Sequence, residues 1–371
     1  MQQHTKAQQG LVESPSIKQL LAESKTQIAS KLQSHIEDTV SDLQNISPLT
    51  QDLKEILLPL ALSGKMIRGS LVWYMYQFTR QEESTLLTRD HVLTVAAAFE
   101  LIQAGLLIHD DIMDNDSLRR GMPTVHVQYH ERYGNTPNSQ TNIGEHMAIC
   151  LGDESLFLAM GLIAHIPDLF AAKVMRFIVP QLVKTGIGQS QDVLGASVSA
   201  LSTTEIETIY LHKTAAYTFT IPLTTGVILA NRSEDITFAQ VASLGESLGL
   251  LFQLRDDYLG IFGESQDTGK NAFSDIAENK KTLIRQALLD QVIKDKKENW
   301  FNGIFGNKDI TQKDVTDVCE YMKVTGIVHK IELDMDKYHD QALEKVNTIA
   351  ISKEGRNFFV ELITYLRHRN A

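Results

Sequence analysis

Apolar residues recur every three or four positions along most of the chain, which is the spacing of one face of an α-helix. Residues 14–45 have the pattern of an amphipathic helix, and further helices are predicted at 48–62, 70–79 and 88–116. The segment 88–116 is apolar on several faces, which predicts a central position in the fold. Helices are also predicted at 145–165, 168–186, 188–198, 204–230, 236–262, 275–299, 312–325, 328–348 and 352–369.

Strands are not predicted, because no segment keeps the strict alternation of apolar and polar residues that a half-buried strand requires. The length of 371 residues exceeds that of a typical single domain, but no low-complexity linker or fixed-period repeat divides the chain. We therefore predict one all-α domain over residues 14–371, preceded by a flexible N-terminus at 1–13. The composition at 129–144, rich in Gly, Asn, Ser and Pro, predicts an irregular connection.

Composition and charge narrow the class of protein. The 46 acidic and 35 basic residues give a net charge of −11, which argues against nonspecific nucleic-acid binding. The two cysteines have no metal-ligand or redox spacing. No apolar leader begins the chain, and no later run is judged long and uncharged enough to span a bilayer. The sequence therefore predicts a cytoplasmic protein without a transmembrane segment.

Carboxylates gather where the helix 88–116 ends. Asp110 and Asp114 are one turn apart on one face, and Asp111 lies about 100° round the helix. Like charges at this spacing repel, and the negative end of the helix dipole adds to the cost. A hard cation such as Mg2+ would relieve it, and the guanidinium groups of Arg119 and Arg120 suit phosphate oxygens. A solvated acidic helix end is the alternative.

A second apolar helix repeats this arrangement. Asp256 and Asp257 lie near its C-terminal end, and Gln253 precedes Asp256 by three residues, on the same side of the helix. Two such clusters are less expected by chance than one. If the two helices lie side by side, their carboxylates can face each other across the mouth of a cavity.

Several cations and polar pairs could serve an anionic ligand. Lys65 and Arg68, three residues apart, are predicted to share one face at a helix N-terminus, where backbone N–H groups favour anions, and Lys270 lies in a loop. Lys213 and Thr214 are adjacent within a helix, and Gln189 and Asp192 are a further polar pair in an apolar helix. Surface cations and helix-to-helix hydrogen bonds are the alternatives.

These motifs, in this order over residues 50–300, resemble those of the trans-isoprenyl diphosphate synthases, the all-α prenyltransferases that elongate isoprenoid diphosphates. The resemblance implies a single-domain bundle of long antiparallel helices around a deep apolar cavity, and a homodimer. The matching segments are Gly64-Lys65-Met66-Ile67-Arg68, Asp110-Asp111-Ile112-Met113-Asp114, Arg119-Arg120-Gly121, Lys213-Thr214, Phe252-Gln253, Asp256-Asp257 and Gly269-Lys270.

The resemblance also implies roles for single residues. Asp110 and Asp114 would hold two Mg2+ ions and Asp256 a third, with Asp111 and Asp257 supporting through water and Mn2+ as a substitute metal. The allylic diphosphate (dimethylallyl, geranyl or farnesyl) would be bound by Arg119, Lys213 and Lys270. Isopentenyl diphosphate would be bound by Lys65, Arg68, Gln103 and Arg120.

The same resemblance implies a mechanism without a protein nucleophile. Metal ions and cations stabilise the departing diphosphate, the double bond of isopentenyl diphosphate attacks the allylic carbocation, and the released diphosphate removes a proton. The dipoles of Thr214 and Gln253 would stabilise the cation.

Two positions depart from the family pattern. Gly69 stands where many relatives have proline, and Gly260 stands at the third aspartate of the second motif, which predicts weaker or water-mediated binding of the third metal.

Product length is expected to depend on the residues before the first aspartates. In the family, these side chains form the floor of the apolar cavity, and here they are Gly105 and Leu106, with Ile102 one turn earlier. Gly105 is expected to leave room for a longer chain, so a geranylgeranyl product is favoured over farnesyl or longer products.

Two other functions stay open on the sequence. A class I terpene cyclase also uses an aspartate-rich motif, but it needs no second diphosphate site, and Gly260 lies where its second metal motif has Ser or Thr. A noncatalytic subunit of a heteromeric synthase usually lacks the first aspartates or the arginines, and both are present here.

Overall fold

The computed structural model describes residues 16–81, 86–134, 141–263, 274–307 and 309–369, with the side chain of residue 274 left undescribed. The predicted flexible N-terminus at 1–13 and the residues Gly269 and Lys270 lie outside these ranges.

Most of the described residues are in helices, which are joined by turns and one two-stranded hairpin. A 3-10 turn (Pro48–Gln51) and a π-helical turn (Leu53–Leu57) precede the helix Leu58–Leu62. A π-helical segment (Tyr210–Thr220) joins the helices Thr203–Ile209 and Ile221–Leu229. The strands are β1 (Leu118–Arg119) and β2 (Met122–Pro123). The helices are α1 (Ile17–Leu43), α2 (Leu58–Leu62), α3 (Ile67–Thr79), α4 (Arg89–Met113), α5 (Val125–Tyr133), α6 (Ile143–Ala164), α7 (Asp168–Ala196), α8 (Thr203–Ile209), α9 (Ile221–Leu229), α10 (Phe238–Phe262), α11 (Ser274–Ala277), α12 (Leu283–Lys294), α13 (Glu298–Ile304), α14 (Gln312–Val324), α15 (Ile327–Val346) and α16 (Lys353–His368).

Helix α4 is the central element, as its apolar faces predict. It begins at a capping box in which the Thr88 side chain and the His91 side chain bond each other's backbone N–H groups. Along its length it packs against α1, α3, α5 and α6, and most of its side chains are buried. The helix ends at Met113 with Asp114 as its C-cap, so the aspartates lie where the helix leaves the core.

The π-helical segment Tyr210–Thr220 brings Lys213 and Thr214 between α7 and α10. Two glycines permit this close packing. A side chain at Gly188 of α7 would collide with the backbone of His212 and Lys213, and a side chain at Gly249 of α10 would collide with Ala215. Gly188 therefore serves helix packing and does not end α7.

Three predicted boundaries are wrong, the first of them because of Gly188. The segments predicted at 168–186 and 188–198 are one helix, α7, which continues through Gly188. The segment predicted at 275–299 is divided into α11, α12 and the start of α13. The irregular connection predicted at 129–144 is helical at its start, because α5 continues to Tyr133, and again at its end, because α6 begins at Ile143; residues 135–140 are not described.

The expectation about membrane spans also needs correction. Among the described residues, α4 and α6 are long and apolar enough to cross a membrane by length and composition, and the bent pair Pro48–Leu62 and Ile67–Thr79 passes the same test together. The fold buries 78% of the apolar window of α4 but only 39% of that of α6. Most of the apolar window of α4 is thus buried inside the protein, whereas much of the apolar window of α6 faces outward.

Candidate active site

The first aspartates meet polar residues from two other elements. Asp110 Oδ1 accepts a hydrogen bond from Gln189 Nε2 of α7 at 2.9 Å and lies 3.4 Å from Lys213 Nζ. Lys213 Nζ also donates to Asp192 Oδ2 at 2.6 Å. The polar pairs of α7 and of the π-helical segment therefore do form helix-to-helix contacts, and these contacts converge on Asp110.

The pKa values of Asp110 and Asp114 are shifted in opposite directions. Burial alone would raise the pKa of Asp110, but the charges of Lys213, Arg119 and Lys280 outweigh it and the pKa is lowered. The pKa of Asp114 is raised, first by burial and then by the charge of Asp110. Asp110 therefore holds its negative charge more firmly than Asp114 does.

A tight hairpin sends the two arginines in different directions. Residues 120 and 121 form its two-residue turn, with φ of 54° at Arg120 and 76° at Gly121, as a type I′ turn requires. Arg119 pairs with Asp111 through Nε and Nη2, and Nη2 also donates to Asp116 at 3.1 Å. Arg120 Nη1 donates to Ser63 Oγ at 2.9 Å, more than fifty residues away in sequence. Adjacent guanidinium groups therefore belong to separate clusters.

Asp111 faces the protein interior and is only 1% exposed. Burial raises its pKa to about 6, although Arg119 opposes this. Its second oxygen, Oδ2, is buried without a hydrogen-bond partner. A cavity of about 260 Å³ lies beside Asp111 and Arg119 and is lined mostly by apolar residues, among them Ile56 and Val125. Asp111 thus holds Arg119 in position from behind the first motif.

The second motif divides its two carboxylates between solvent and core. The Asp256 side chain is 42% exposed and forms an ion pair with Arg369. Asp257 is only 3% exposed and accepts hydrogen bonds from Tyr210 Oη and, at 2.8 Å, from Gln253 Nε2. Burial raises the pKa of Asp257 to about 8. Thr214 Oγ1 donates to Gln253 Oε1 at 2.9 Å, so this network connects α10 with the π-helical segment.

Residues that the sequence did not single out complete the surroundings of the aspartates. Lys280 Nζ lies 3.7 Å from Asp114, 3.8 Å from Asp275 and 3.2 Å from Glu278. A side chain at Gly260 would collide with the Asp275 carboxylate, so α11 fills the space of the third aspartate. Lys280 follows the second motif in sequence, but no local pattern connects it with Asp114.

A cluster of cations lies at the N-terminus of α3. Arg68 Nη2 donates to Thr218 Oγ1 at 2.7 Å, and its guanidinium lies 4.5 Å from the centre of the Tyr217 ring. Lys65 Nζ donates to Tyr365 Oη at 3.1 Å. Helix α3 begins only at Ile67, after Met66 in a left-handed conformation. The prediction that Lys65 and Arg68 share a helix face is therefore wrong, because Lys65 precedes the helix.

Arg120 adjoins this cluster, and Gln103 lies on the face of α4 that contacts the start of α3. A side chain at Gly64 would meet Arg120 Nη1 at 2.8 Å, so the absence of a side chain lets the guanidinium pack against the chain next to Lys65. Gln103 lies on α4, one turn after Glu100, whose carboxylate accepts the N–H of Gly69. Proline at position 69 could not make that bond, because it has no N–H.

The proposed floor of the apolar cavity is only partly as expected. Ile102 is buried and Leu106 is half-buried against the core. Gly105, however, faces α6: a side chain there would meet the Gly152 carbonyl oxygen at 2.8 Å and Leu156 Cγ at 3.1 Å. The expectation that Gly105 leaves open room for a longer product is therefore wrong, because α6 occupies that space.

The aspartate side chains fit a magnesium site in which phosphate oxygens of a substrate would supply some of the ligands. Among the described residues, no three His, Cys, Asp or Glu side chains converge on one point as a ready-made metal cluster. Mg2+ does not require that, since it commonly takes one or two carboxylates and fills its other positions with water and phosphate oxygens. Asp110, Asp114 and Asp256 are partly exposed carboxylates at two helix ends, and they are of the kind that would supply such ligands.

Comparison with known proteins agrees with this geometry. The sequence model of the polyprenyl synthetase family matches residues 50–322. The chain belongs to the polyprenyl synthetase family. As a member of that family it is a prenyltransferase that carries out trans-prenyl chain elongation, and its all-α fold is that of the isoprenoid synthases.

Named relatives of this polyprenyl synthetase support the activity. It is 31% identical to a geranylgeranyl diphosphate synthase of Saccharolobus solfataricus over 72% of this chain and 76% of the relative. It is 33% identical to a farnesyl diphosphate synthase of Haemophilus influenzae over 64% of this chain and 74% of the relative. A crystal structure of geranylgeranyl pyrophosphate synthase from Corynebacterium glutamicum, complexed with isoprenyl diphosphate and magnesium, superimposes with a TM-score of 0.88 at 27% identity, covering 94% of this chain and 99% of that one.

Proposed function

We propose that this protein is a Mg2+-dependent synthase that adds isopentenyl diphosphate to an allylic primer. A geranylgeranyl product is proposed because of the similarity to a geranylgeranyl diphosphate synthase and not because of space beside Gly105. The observation that carries the proposal is the division of the arginine pair. Arg119 lies among the aspartates, whereas Arg120 lies with Lys65 and Arg68. Two separate cation clusters suit two diphosphates, which elongation requires and a terpene cyclase does not.

The allylic diphosphate binds between the two aspartate motifs in this proposal. Asp110, Asp114 and Asp256 would hold three Mg2+ ions, with Mn2+ as a substitute. Arg119 and Lys213 lie beside Asp111 and Asp110 and would bind the diphosphate oxygens, together with Lys270. Asp111 and Asp257 are buried and would keep Arg119 and Gln253 in position.

Isopentenyl diphosphate binds at the α3 cluster. Lys65 and Arg68 come from around the start of α3 and Arg120 comes from the hairpin turn, and together they supply the positive charge. Gln103 lies on the face of α4 that contains Glu100, which contacts the first turn of α3. A planar guanidinium can bind phosphate oxygens in pairs, which fixes the orientation of this substrate.

Reaction begins when the C–O bond of the allylic diphosphate breaks and both electrons leave with diphosphate. Bound Mg2+ supplies charge neutralisation for the leaving group. Lys213 and Arg119 stabilise the same developing negative charge. The double bond of isopentenyl diphosphate then attacks the carbocation, and diphosphate accepts the proton that is lost. Thr214 fixes the Gln253 amide through its hydrogen bond, and both dipoles stabilise the cation.

We also propose a cytoplasmic homodimer. Two adjacent helices present apolar stripes at helical spacing, which would be costly to leave in water. A second copy with the same two stripes would cover them and would account for the outward apolar face of α6. The stripes consist of Ile149, Phe157 and Met160 on α6 and Val179, Val183, Ile187 and Leu194 on α7. Light scattering is expected to give twice the mass of the chain, and Phe157→Glu with Ile187→Glu is expected to give the monomer mass.

The activity is tested with purified protein, Mg2+, isopentenyl diphosphate and each primer in turn: dimethylallyl, geranyl and farnesyl diphosphate. Diphosphate release and a C20 prenyl diphosphate in the mass spectrum are the expected result. If folded protein elongates none of the three primers, the proposed function is wrong. A C15 product, or one longer than C20, would correct only the chain length.

A further inference from the structure

Glu100 is a buried acidic residue in the middle of α4 that has no place in the proposed binding of metal or substrate. It is only 4% exposed, and acidic side chains are rarely buried without a specific partner. Its Oε1 accepts a hydrogen bond from the backbone N–H of Gly69 at 2.8 Å. The partner therefore belongs to the first turn of α3, the helix that contains Arg68.

The N–H of Gly69 needs an acceptor from outside its own helix. In the first turn of a helix, N–H groups have no partner within the helix, and a side chain at the N-cap usually supplies one. Here the N-cap is Met66, which makes no side-chain capping bond and has a left-handed φ of 51°. Glu100 takes over the capping from a neighbouring helix, and its acidic group lies at the positive end of the α3 dipole.

The same contact brings the two helices unusually close together. A side chain at Gly69 would meet the Ala96 carbonyl oxygen at 2.6 Å and Ile28 Cδ1 at 3.0 Å. Ala96 and Glu100 are one helical turn apart, so both contacts lie on one face of α4. Gln103 continues this face toward the aspartates.

The charges of two arginines of the α3 cluster act on the carboxyl group of Glu100. Burial raises the pKa of Glu100, and the bond from Gly69 and the charges of Arg68 and Arg120 oppose that rise. Arg68 is further held by Thr218 and by the Tyr217 ring. The contact between Gly69 and Glu100 is therefore made by the residue that follows Arg68, and the charge of Arg120 acts on the same carboxyl group.

We propose that Glu100 is a positioning residue for the isopentenyl diphosphate site. Its carboxyl group fixes the start of α3 against α4 and thereby sets where Arg68 and Lys65 stand relative to Arg120 and Gln103. Glu100 does not touch the substrate. This inference rests on the proposed function, because it assigns isopentenyl diphosphate to the α3 cluster.

The test compares three variants with the unmodified protein. Glu100→Leu removes the acceptor at similar volume, and Glu100→Gln keeps an acceptor oxygen in the same place. Ser155→Ala is the matched control: Ser155 Oγ is buried and donates to the Leu101 carbonyl oxygen of α4 at 2.8 Å, on the side of α4 that faces α6. The measurements are KM for isopentenyl diphosphate, KM for the allylic primer, kcat and the thermal unfolding midpoint.

Glu100→Leu is expected to raise KM for isopentenyl diphosphate about tenfold, as loss of one buried hydrogen bond to the site would. KM for the allylic primer should change much less. Glu100→Gln should restore most of the affinity, and Ser155→Ala should lower the unfolding midpoint without changing either KM. Should Glu100→Leu fail to fold, Glu100→Asp withdraws the carboxyl group from Gly69 and is expected to raise the same KM.

Equal changes in both KM values, or none in folded Glu100→Leu or Glu100→Asp, would overturn the positioning role while elongation by the unmodified protein stands. Failure of the unmodified protein to elongate any primer would instead overturn the proposed function.

Discussion

The guanidinium of Arg369, almost at the end of the chain, lies against the carboxylate of Asp256. Arg369 Nη2 also donates to the Phe252 carbonyl oxygen at 3.1 Å, and its guanidinium lies 4.2 Å from the centre of the Phe252 ring. Arg255 binds the Arg369 carbonyl oxygen through two N–H groups, at 2.9 and 2.7 Å. The carboxylate expected to receive the third metal therefore already has a cationic partner.

Replacing Arg369 is expected to change the demand for metal. In Arg369→Gln, Asp256 loses its counter-charge, so the Mg2+ concentration that gives half-maximal elongation should fall. Arg367→Gln is the control, because Arg367 pairs with Asp336 and not with an aspartate of the site. The shift in unfolding temperature on adding Mg2+ with inorganic diphosphate provides a second readout. A half-maximal Mg2+ concentration that is the same in both variants would contradict the prediction.

Asp110→Ala is expected to abolish turnover. The substitution removes the carboxylate on which Gln189 and Lys213 converge, and with it a ligand proposed for two metal ions. Asp90→Ala removes an exposed carboxylate at the other end of the same helix, where its partner is Lys31, and should retain full activity. Steady-state elongation of both purified variants checks this, with circular dichroism to confirm folding. Substantial turnover by Asp110→Ala would exclude it as a metal ligand.

Gly260 and Asp275 should be coupled in stability. A methyl group at Gly260 would press on the Asp275 carboxylate, so Gly260→Ala should destabilise the fold by about 1–3 kcal/mol through overpacking. Combined with Asp275→Gly, the same substitution should cost much less. Urea unfolding of the four proteins in a double-mutant cycle measures the coupling free energy. Additive effects would mean that the two residues do not compete for this space.

Product length is expected to respond to Leu106 but not to Gly105. Leu106→Phe enlarges a half-buried side chain one turn before Asp110 and should shorten the main product. Gly105→Ala presses on the Gly152 carbonyl oxygen and should lower the unfolding temperature without shortening the product. Mass spectra of the products and thermal melts separate the two effects. An unchanged product from folded Leu106→Phe would remove Leu106 from the cavity floor.

Glu100 should make stability depend on pH. Burial raises its pKa above the usual 4.5, so the folded protein favours the protonated form. Its contribution is complete below pH 4.5 and is lost as the pH rises toward the folded pKa, because the unfolded chain ionises first. The free energy of unfolding of the unmodified protein, minus that of Glu100→Gln, should therefore decrease from pH 4.5 to pH 8. A difference that is constant over this range would show that Glu100 does not titrate in this way.

Local patterns were sufficient for the parts of the site that are close together in sequence. Asp110 and Asp114 share a face because they are one turn apart, and that follows from helix geometry alone. The opposite directions of Arg119 and Arg120 depend on a two-residue hairpin with positive φ at both turn positions, which apolar periodicity does not indicate.

Contacts between distant elements could not be predicted in this way. Arg369 and Asp256 are more than a hundred residues apart, and Lys280 and Asp114 more than a hundred and fifty, so both contacts depend on how α10, α11 and α16 pack. Gly105 shows the reverse case, in which a contact was missed because the residue is small. Its lack of a side chain suggested open space, but Gly152 and Leu156 of α6 occupy that space.

The cations around the aspartates are neutralised before any ligand arrives. Arg119, Lys213, Lys280 and Arg369 each contact a carboxylate within the described part of the chain. In the proposed function, binding of a metal diphosphate would then be an ion exchange, in which phosphate oxygens replace the carboxylates as partners of the lysines and arginines, and metal ions replace the cations as partners of the carboxylates. Because few bare charges are left to be screened, affinity should vary less with salt than it would at an open basic cleft.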